Sequence, residues 1–174
     1  MSQQSSLPFA AAVYQPKKTD KSQLSSFVAR LQADGVRIAG ILQESHIKPG
    51  EKTRTIESID IRTSQRVAIK NPMKHEAECG LDAGNLIETS AILREILDNP
   101  PDLVVMEKFG GQEQLGKGLY DEIMQIIAAH IPLILSVPEP ALPLWREMSE
   151  NMGDEIAFSV EAMDGWWSEL SANQ

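Results

Sequence analysis

The chain has 174 residues, 42% of them hydrophobic and 24% charged, which is the composition of a soluble globular protein and not of a disordered or fibrous one. The formal net charge is -9, from 16 basic and 25 acidic residues, and it argues against nucleic acid as a main partner because phosphate backbones require a basic surface. A small anion in a local basic pocket is compatible with this charge.

Strands and helices alternate in the first half of the chain. Residues 8–14 form an apolar run that predicts a buried strand, and residues 36–42 predict a second one. Between them, Leu24, Phe27, Val28 and Leu31 recur at helical spacing, and Gly35 ends the predicted helix. The segments 55–62 and 65–70 then predict a β-hairpin at one edge of the sheet.

The second half continues this alternation, with helices predicted at residues 86–97, 118–129 and 141–152 and strands at 103–106, 132–137 and 156–160. A short last helix carries Trp166 and Trp167, which close the core or a subunit contact, so a homodimer is one expectation. Apolar strands separated by amphipathic helices predict a three-layer α/β fold with a mainly parallel sheet and a β-hairpin insertion. By length, residues 1–174 form one domain, with 1–7 as a flexible tail.

The loop between the first strand and the first helix carries part of a phosphate-binding motif. That motif is Gly, four residues, then Gly-Lys-Ser or Gly-Lys-Thr, and here Lys21 and Ser22 keep their places while Gln15 and Asp20 replace both glycines. The glycines matter because they let backbone amides wrap around a phosphate, which Asp20 would also repel. Two interpretations stay open, a weakened phosphate site and a solvated lysine-rich loop capped by Asp20.

Residues 102–118 combine a buried strand, a glycine-rich turn and the start of a helix, the place where ligands bind in α/β proteins. Glu107 lies at the strand end, where phosphate-loop hydrolases carry a magnesium-ordering acid, and Lys108 follows it. We expect Lys108 to be the centre of an anion site, helped by free N–H groups near Gly116 and Gly118 and by Lys21. The alternative is that Glu107 or Glu113 neutralises Lys108, which then binds nothing.

Both turns follow strands of a parallel sheet, so we expect them to lie side by side at the carboxyl ends of adjacent strands. The predicted anion- or nucleotide-binding residues are therefore Lys21, Ser22, Glu107, Lys108, Gly110, Glu113, Gly116 and Gly118. No catalytic residue is assigned. The cofactor is left open, with magnesium as the expected companion of a nucleotide, and no metal-binding residues are assigned.

Cys79 is the single cysteine, so it has no internal disulfide partner, which is typical of a reducing compartment. With His75 it provides too few ligands for a metal site, and Asp82 is expected to cap the following helix. The N-terminus has no secretion signal, and no segment approaches the ~18 apolar residues of a membrane span. We expect a cytoplasmic location and no membrane partner.

Several segments resemble a bacterial family of unknown function whose members are often labelled molybdenum-transport or nucleoside-triphosphatase-like. They are Glu78-Cys-Gly-Leu-Asp82, Asp102-Leu-Val-Val-Met-Glu-Lys-Phe-Gly110, Glu113, Gly116-Lys-Gly118 and Ile131-Pro-Leu-Ile-Leu135. This chain departs from the family pattern with Glu107 in place of Asn, Glu78 in place of Gly and Gly80 in place of Arg.

A remoter similarity reaches the thermophilic nucleoside-triphosphatase family, which has the P-loop NTPase fold. It matches Glu107 to that family's aspartate and Lys108 to its catalytic glutamate. The resemblance implies a degenerate P-loop NTPase-like protein that binds a nucleotide or an oxyanion, is linked to molybdate metabolism and hydrolyses little or nothing. An active magnesium-dependent nucleoside-triphosphatase and a regulatory protein-interaction module without a small ligand are the alternatives.

Overall fold

The structure, a computed structural model, describes residues 7–47, 49–50, 52, 55–70 and 83–174. The expected roles of His75, Cys79 and Asp82, and most of the expected N-terminal tail, lie outside these residues.

The described residues form a seven-stranded sheet with strands β1 (Phe9–Tyr14), β2 (Ile38–His46), β3 (Thr55–Asp60), β4 (Arg66–Lys70), β5 (Leu103–Met106), β6 (Leu133–Pro138) and β7 (Asp154–Ala157). The helices are α1 (Ser22–Ala33), α2 (Ala83–Asp98), α3 (Gly111–Gln114), α4 (Tyr120–Ala128), α5 (Leu142–Met148) and α6 (Val160–Ala172). A 3₁₀ turn at Glu139–Ala141 leads into α5.

The strand order is β4-β3-β2-β5-β6-β1-β7. The five strands from β2 to β7 in this order are parallel, whereas β3 and β4 pair antiparallel at one edge. The predicted mainly parallel sheet with a hairpin at one edge is therefore confirmed, and the architecture is consistent with a P-loop NTPase-like fold.

Two apolar cores cover the two faces of the sheet and make the three layers. On one face, the strands pack against α2, α4 and α5 through side chains such as Leu93, Ile126 and Trp145. On the other face they pack against α1 and α6, where Phe27 and Trp167 are buried. Both faces are covered because β1, β5 and β6 are apolar at almost every position, as in parallel sheets generally.

One glycine lets the two central strands β2 and β5 come close. Gly40 has φ +126°, and a Cβ atom built there would lie 2.0 Å from the carbonyl oxygen of Val105. Any side chain at this position would push β5 away from β2. The pairing of these two strands positions the turn at Glu107, so the close approach at Gly40 helps to fix the position of that turn.

Three elements differ from the sequence expectation. The last strand is Asp154–Ala157 rather than 156–160, because Ser159 caps α6 by accepting a hydrogen bond from the Ala162 N–H at 3.1 Å. The glycine-rich turn contains the helical turn α3, closed by the Gln114 N–H donating to the Gly110 carbonyl at 3.0 Å. Strand β2 continues to His46 because β3 pairs with it along its whole second half.

The two C-terminal tryptophans close the core, one of the two roles expected for them. Trp166 and Trp167 are each 9% exposed and pack on the α1 face of the sheet. The indole N–H of Trp166 donates to the Asp154 carboxylate at 2.9 Å, which ties α6 to β7.

Candidate functional site

A cavity of about 680 Å³ opens at the carboxyl edge of the sheet. Its first wall, the lysine wall, is the β1–α1 loop and the start of α1, with Lys17, Thr19, Lys21, Ser22 and Ser25. Its floor is the end of β5, with Glu107 and Lys108. Its second wall, the hairpin wall, is the extended part of β2 and β3, with Leu42, Gln43, Glu44, Ser45, Ile56 and Ile59.

The cavity brings together four of the predicted site residues, namely Lys21, Ser22, Glu107 and Lys108. Their two loops lie at the same edge of the sheet, but the expectation that they follow adjacent strands is wrong. Strand β6 lies between β1 and β5, with Leu135 facing Ala11 on one side and Met106 on the other. At about 4.8 Å per strand, β1 and β5 are roughly 10 Å apart, a distance that lysine side chains can bridge.

The β1–α1 loop uses its own groups to satisfy its amides. The N–H groups of Lys18 and Thr19 donate to the Gln15 carbonyl at 3.1 and 3.0 Å, and the Gln15 N–H donates to the Thr19 hydroxyl at 2.8 Å. The Asp20 carboxylate accepts from the Ser22 N–H at 3.0 Å and from the Ser22 hydroxyl at 2.7 Å. The loop is therefore capped by Asp20, and these amides are bonded within the loop instead of being free to cradle a phosphate.

Lys21 lies next to a buried tyrosine that sequence reasoning did not select. The Lys21 Nζ is 5.0 Å from the ring centroid of Tyr14, the last residue of β1. Burial, and secondarily the charge of Glu107, raises the pKa of Tyr14 to about 12, so the phenol stays protonated and uncharged at neutral pH. The signal in the sequence was the aromatic hydroxyl at the carboxyl end of an otherwise aliphatic strand.

Glu107 joins the floor of the cavity to the hairpin wall. Its N–H donates to the Ile41 carbonyl at 2.9 Å, and its buried carboxylate accepts from the Gln43 N–H at 2.8 Å. The side chain thus continues the β2–β5 ladder past the end of β5. Burial raises the pKa of the Glu107 carboxyl, while the Gln43 hydrogen bond and the charges of Lys21 and Lys108 oppose the rise. The peptide bond between Glu107 and Lys108 is cis.

The glycine-rich turn encloses Glu113 rather than an open anion site. The carboxylate of Glu113 accepts from the Leu119 N–H at 3.4 Å, and a Cβ atom on Gly118 would lie 2.9 Å from it. Two of the N–H groups expected to be free are bonded: that of Gly116 donates to the Glu113 carbonyl at 3.0 Å, and that of Lys117 to the Gln112 carbonyl at 2.9 Å.

Four predicted site residues belong to this turn and are not part of the cavity lining, namely Gly110, Glu113, Gly116 and Gly118. Sequence spacing placed them near Lys108, but it gave no indication that the carboxylate of Glu113 would occupy the turn itself. The carboxylate of Glu113 lies beside the amide groups that we expected to attract an anion from outside the protein.

Lys108 lies between two carboxyl groups. Its positive charge opposes the rise in the pKa of both Glu107 and Glu113, which burial causes in each case. A Cβ atom on Gly110 would lie 3.5 Å from the Lys108 Cε and 3.3 Å from a Glu113 carboxylate oxygen, so the two side chains meet over this glycine. This arrangement favours the alternative in which Lys108 is largely neutralised by its neighbours.

The second wall of the cavity was missed from the sequence. Leu42 and Ile59 are partly exposed neighbours on one face of it, whereas Ile56 is partly exposed on the opposite face. Glu44 forms an ion pair with Arg66 at 2.5 Å. Of the charged groups lining the cavity, Glu44 is thus paired and Glu107 is buried with a raised pKa, while three lysines face them. On a chain with a net charge of -9, the cavity is a local basic pocket.

Two other kinds of feature are absent from the described part of the chain. No group of three or more His, Cys, Asp or Glu side chains there is placed to hold a metal ion. No described helix combines the length and the apolar character that crossing a membrane requires.

Comparison with known proteins identifies one family and one curated relative. The family described as "Protein of unknown function (DUF2478)" matches residues 9–166. The "Molybdenum import ATP-binding protein ModC 2" of Bradyrhizobium diazoefficiens is 32% identical over 165 residues, which are 94% of this chain but 18% of that protein. No solved structure matches the chain. Since the family match covers most of its length, the chain belongs to the DUF2478 family of proteins of unknown function.

Proposed function

We propose that this protein binds a small anionic ligand, a nucleotide or an oxyanion, in the cavity at the carboxyl edge of its sheet. The observation that carries the proposal is the placement of Lys17, Lys21 and Lys108 on one cavity of an otherwise acidic protein. The volume of about 680 Å³ also lies in the range of small-molecule sites, although most of the residues that line this cavity are polar.

Lys21 is the principal cation in this proposal, and Ser22 follows it on the same wall, with its hydroxyl donating to Asp20 in the structure. Lys21 lies over the ring of Tyr14 at the mouth of the β1–α1 loop, and it is the first of the two lysines whose charge acts on Glu107. Lys108 contributes less, because it also interacts with Glu113. Gly110, Glu113, Gly116 and Gly118 support the site indirectly by holding the turn that carries Lys108.

We further propose that the protein hydrolyses nucleotides little or not at all. Phosphate-loop hydrolases hold the phosphates on loop amides, and here Gln15, Thr19 and Asp20 occupy several of those amides. Lys108 stands at the position expected for a water-activating acid, and a lysine beside carboxylates stays protonated. Magnesium would enter only with a nucleotide.

The curated relative supports a nucleotide and a connection to molybdenum, since its name describes molybdenum import and ATP binding. The chain spans 18% of that protein, so the activity named there is a proposal for this chain and not a transfer. The links to molybdate metabolism and to the thermophilic nucleoside-triphosphatases, the cytoplasmic location and the homodimer all stay predictions.

A thermal-shift screen of the full chain tests the proposal, using ATP, ADP and AMP with and without magnesium, and molybdate, tungstate, sulfate and phosphate. A ligand at one hundred times its Kd stabilises the folded state by about 2.7 kcal/mol. Lys21→Ala is the test variant, and Lys117→Ala, an exposed lysine outside the cavity lining, is the matched control. Absence of any shift would contradict the binding proposal and favour the interaction-module alternative.

Phosphate release from ATP and GTP with magnesium tests the second part of the proposal. Robust turnover that Lys21→Ala abolishes would favour the alternative of an active nucleoside-triphosphatase. Turnover that persists unchanged in Lys21→Ala would point to a contaminating enzyme, because the variant removes the principal cation of the site.

A further inference from the structure

We infer that the cavity takes an organic phosphate of the size of a nucleoside monophosphate, and not a bare tetrahedral oxyanion. In this arrangement the phosphate lies at the lysine wall and the apolar faces of the base lie against the hairpin wall. The inference rests on the proposed function, since it names the class of anion that the same cavity selects.

The first support is the distance between the two walls. The lysine wall follows β1, the hairpin wall belongs to β2 and β3, and the strands β6 and β5 lie between β1 and β2. Three strand spacings of about 4.8 Å separate β1 from β2 by roughly 14 Å. A tetrahedral oxyanion can contact one of these walls, whereas a nucleoside monophosphate is long enough to contact both.

The second support is the chemistry of the hairpin wall. Leu42 and Ile59 are cross-strand partners on the same face of the sheet, and both keep part of their apolar surface exposed at the cavity. Apolar surface of this kind contributes to binding only when the ligand has an apolar part to cover it. A bare oxyanion has none, while a base has two apolar faces.

The third support is the hydrogen-bonding state of the hydroxyls on the lysine wall. The Ser22 hydroxyl donates to the Asp20 carboxylate and the Ser25 hydroxyl to the Ser22 carbonyl, so both protons are used within the chain. The Thr19 hydroxyl accepts from the Gln15 N–H and can donate its own proton to a phosphate beside Lys21. Thus the lysine wall suits the phosphate of the ligand, and the apolar side chains of the hairpin wall suit the base.

Isothermal titration calorimetry with the full chain at one ionic strength tests this inference, using AMP, UMP, ribose 5-phosphate, inorganic phosphate and molybdate. The ribose phosphate keeps the anion and lacks the base, so the wild-type protein alone provides a ligand series. Ile59→Ser changes the hairpin wall, and Ile87→Ser is the matched control, because Ile87 is 71% exposed on α2 outside the cavity lining. Circular dichroism checks that each variant is folded.

We expect AMP or UMP to bind at least about tenfold more tightly than ribose 5-phosphate, phosphate and molybdate. Ile59→Ser should remove most of that difference without changing the affinity for phosphate, and Ile87→Ser should change neither. If molybdate or phosphate binds as tightly as both nucleotides, the inference is overturned while the proposed anion site stands. If none of the five ligands binds, the proposed function fails as well, and if Ile59→Ser is unfolded, the ligand series in the wild type decides alone.

Discussion

The β1–α1 loop and the glycine-rich turn after β5 solve one problem in two ways. Both lead from a strand to a helix, and both satisfy backbone N–H groups with a carboxylate of the chain itself. In the first loop that carboxylate is the exposed Asp20, whose pKa is lowered by its hydrogen bonds with Ser22. In the second it is Glu113, whose pKa is raised by burial.

This difference separates a turn whose lysine is open to a ligand from one whose lysine is shared with internal carboxyl groups. Asp20 keeps its charge in water between Thr19 and Lys21, two residues that line the cavity, and a competing anion can approach Lys21. Glu113 is enclosed by its own turn and shares Lys108 with Glu107. Ligand binding is therefore expected to depend on the first turn, and folding to depend on the second.

Truncation of Glu107 should have the largest effect and tests the structural role of the second turn. Glu107→Ala leaves the Gln43 N–H without its acceptor, and we expect a loss of about 1–3 kcal/mol in the free energy of unfolding. Glu107→Gln keeps an acceptor oxygen in place and should cost much less. Urea unfolding followed by circular dichroism compares the two variants, and equal losses would show that the hydrogen bond to β2 is unimportant.

Removal of one lysine from each turn tests where the anion binds. Lys21→Ala should weaken binding of the anion selected by the screen by about tenfold, since it removes a charged partner that is worth at least about 1.5 kcal/mol. Lys108→Ala should weaken it by less than about threefold because its charge is shared with two carboxylates. Calorimetric titration measures both, and a larger effect at Lys108 would reverse the roles assigned to the two turns.

The pH dependence of the free energy of unfolding should reveal the burial of Glu113. The pKa of Glu113 is raised in the folded state, so the folded protein binds more protons than the unfolded chain between the ordinary and the raised value. The stability that the protonated Glu113 contributes to the folded state is therefore present below the ordinary pKa and is lost as pH rises through the raised pKa.

Glu113→Gln should match the wild type in acid and gain on the order of 1 kcal/mol relative to it at neutral pH. Unfolding midpoints from pH 4 to pH 8 provide the measurement, and Glu150→Gln, an exposed glutamate after α5, serves as the control. A stability difference that does not change with pH would contradict the role given to burial at Glu113.

The smallest effect is expected at Asp20. Asp20→Asn keeps an oxygen that can accept from the Ser22 N–H and removes a negative charge beside Lys21. Affinity for the anion should rise by about two- to threefold, the size of a charge effect at an exposed helix N-terminus. Asp34→Asn, at the other end of α1, is the matched control and should leave the affinity unchanged.

Local patterns in the sequence predicted most of the fold. The apolar runs at β1, β5 and β6 have one compatible structure, a buried parallel strand, and the alternation at residues 55–70 marked the hairpin. The strand order was not predictable in this way, because the insertion of β6 between β1 and β5 depends on pairing between distant segments. That is why the two turns, which we expected to follow adjacent strands, follow strands that have β6 between them.

The candidate site was predicted in part for a similar reason. Lys21, Ser22, Glu107 and Lys108 were found from motif spacing, and they line one cavity. The hairpin wall was missed because Leu42 and Ile59 have the appearance of ordinary strand residues until β2 is seen to continue beyond β5. The internal use of Glu113 was missed because sequence spacing does not indicate which carboxylate will fold back onto its own turn.

The extension of β2 has a consequence for how binding can be observed without a labelled ligand. Residues 44–46 are paired with β3 and lie beyond the four β2 residues that pair with β5, so their amides open without disturbing the central sheet. Amides of this kind exchange their hydrogens through local opening, while those of β1 and β6 require global unfolding. A ligand that spans the cavity should slow deuterium uptake at residues 43–46 by more than at any core strand, and one that contacts the lysine wall alone should leave it unchanged.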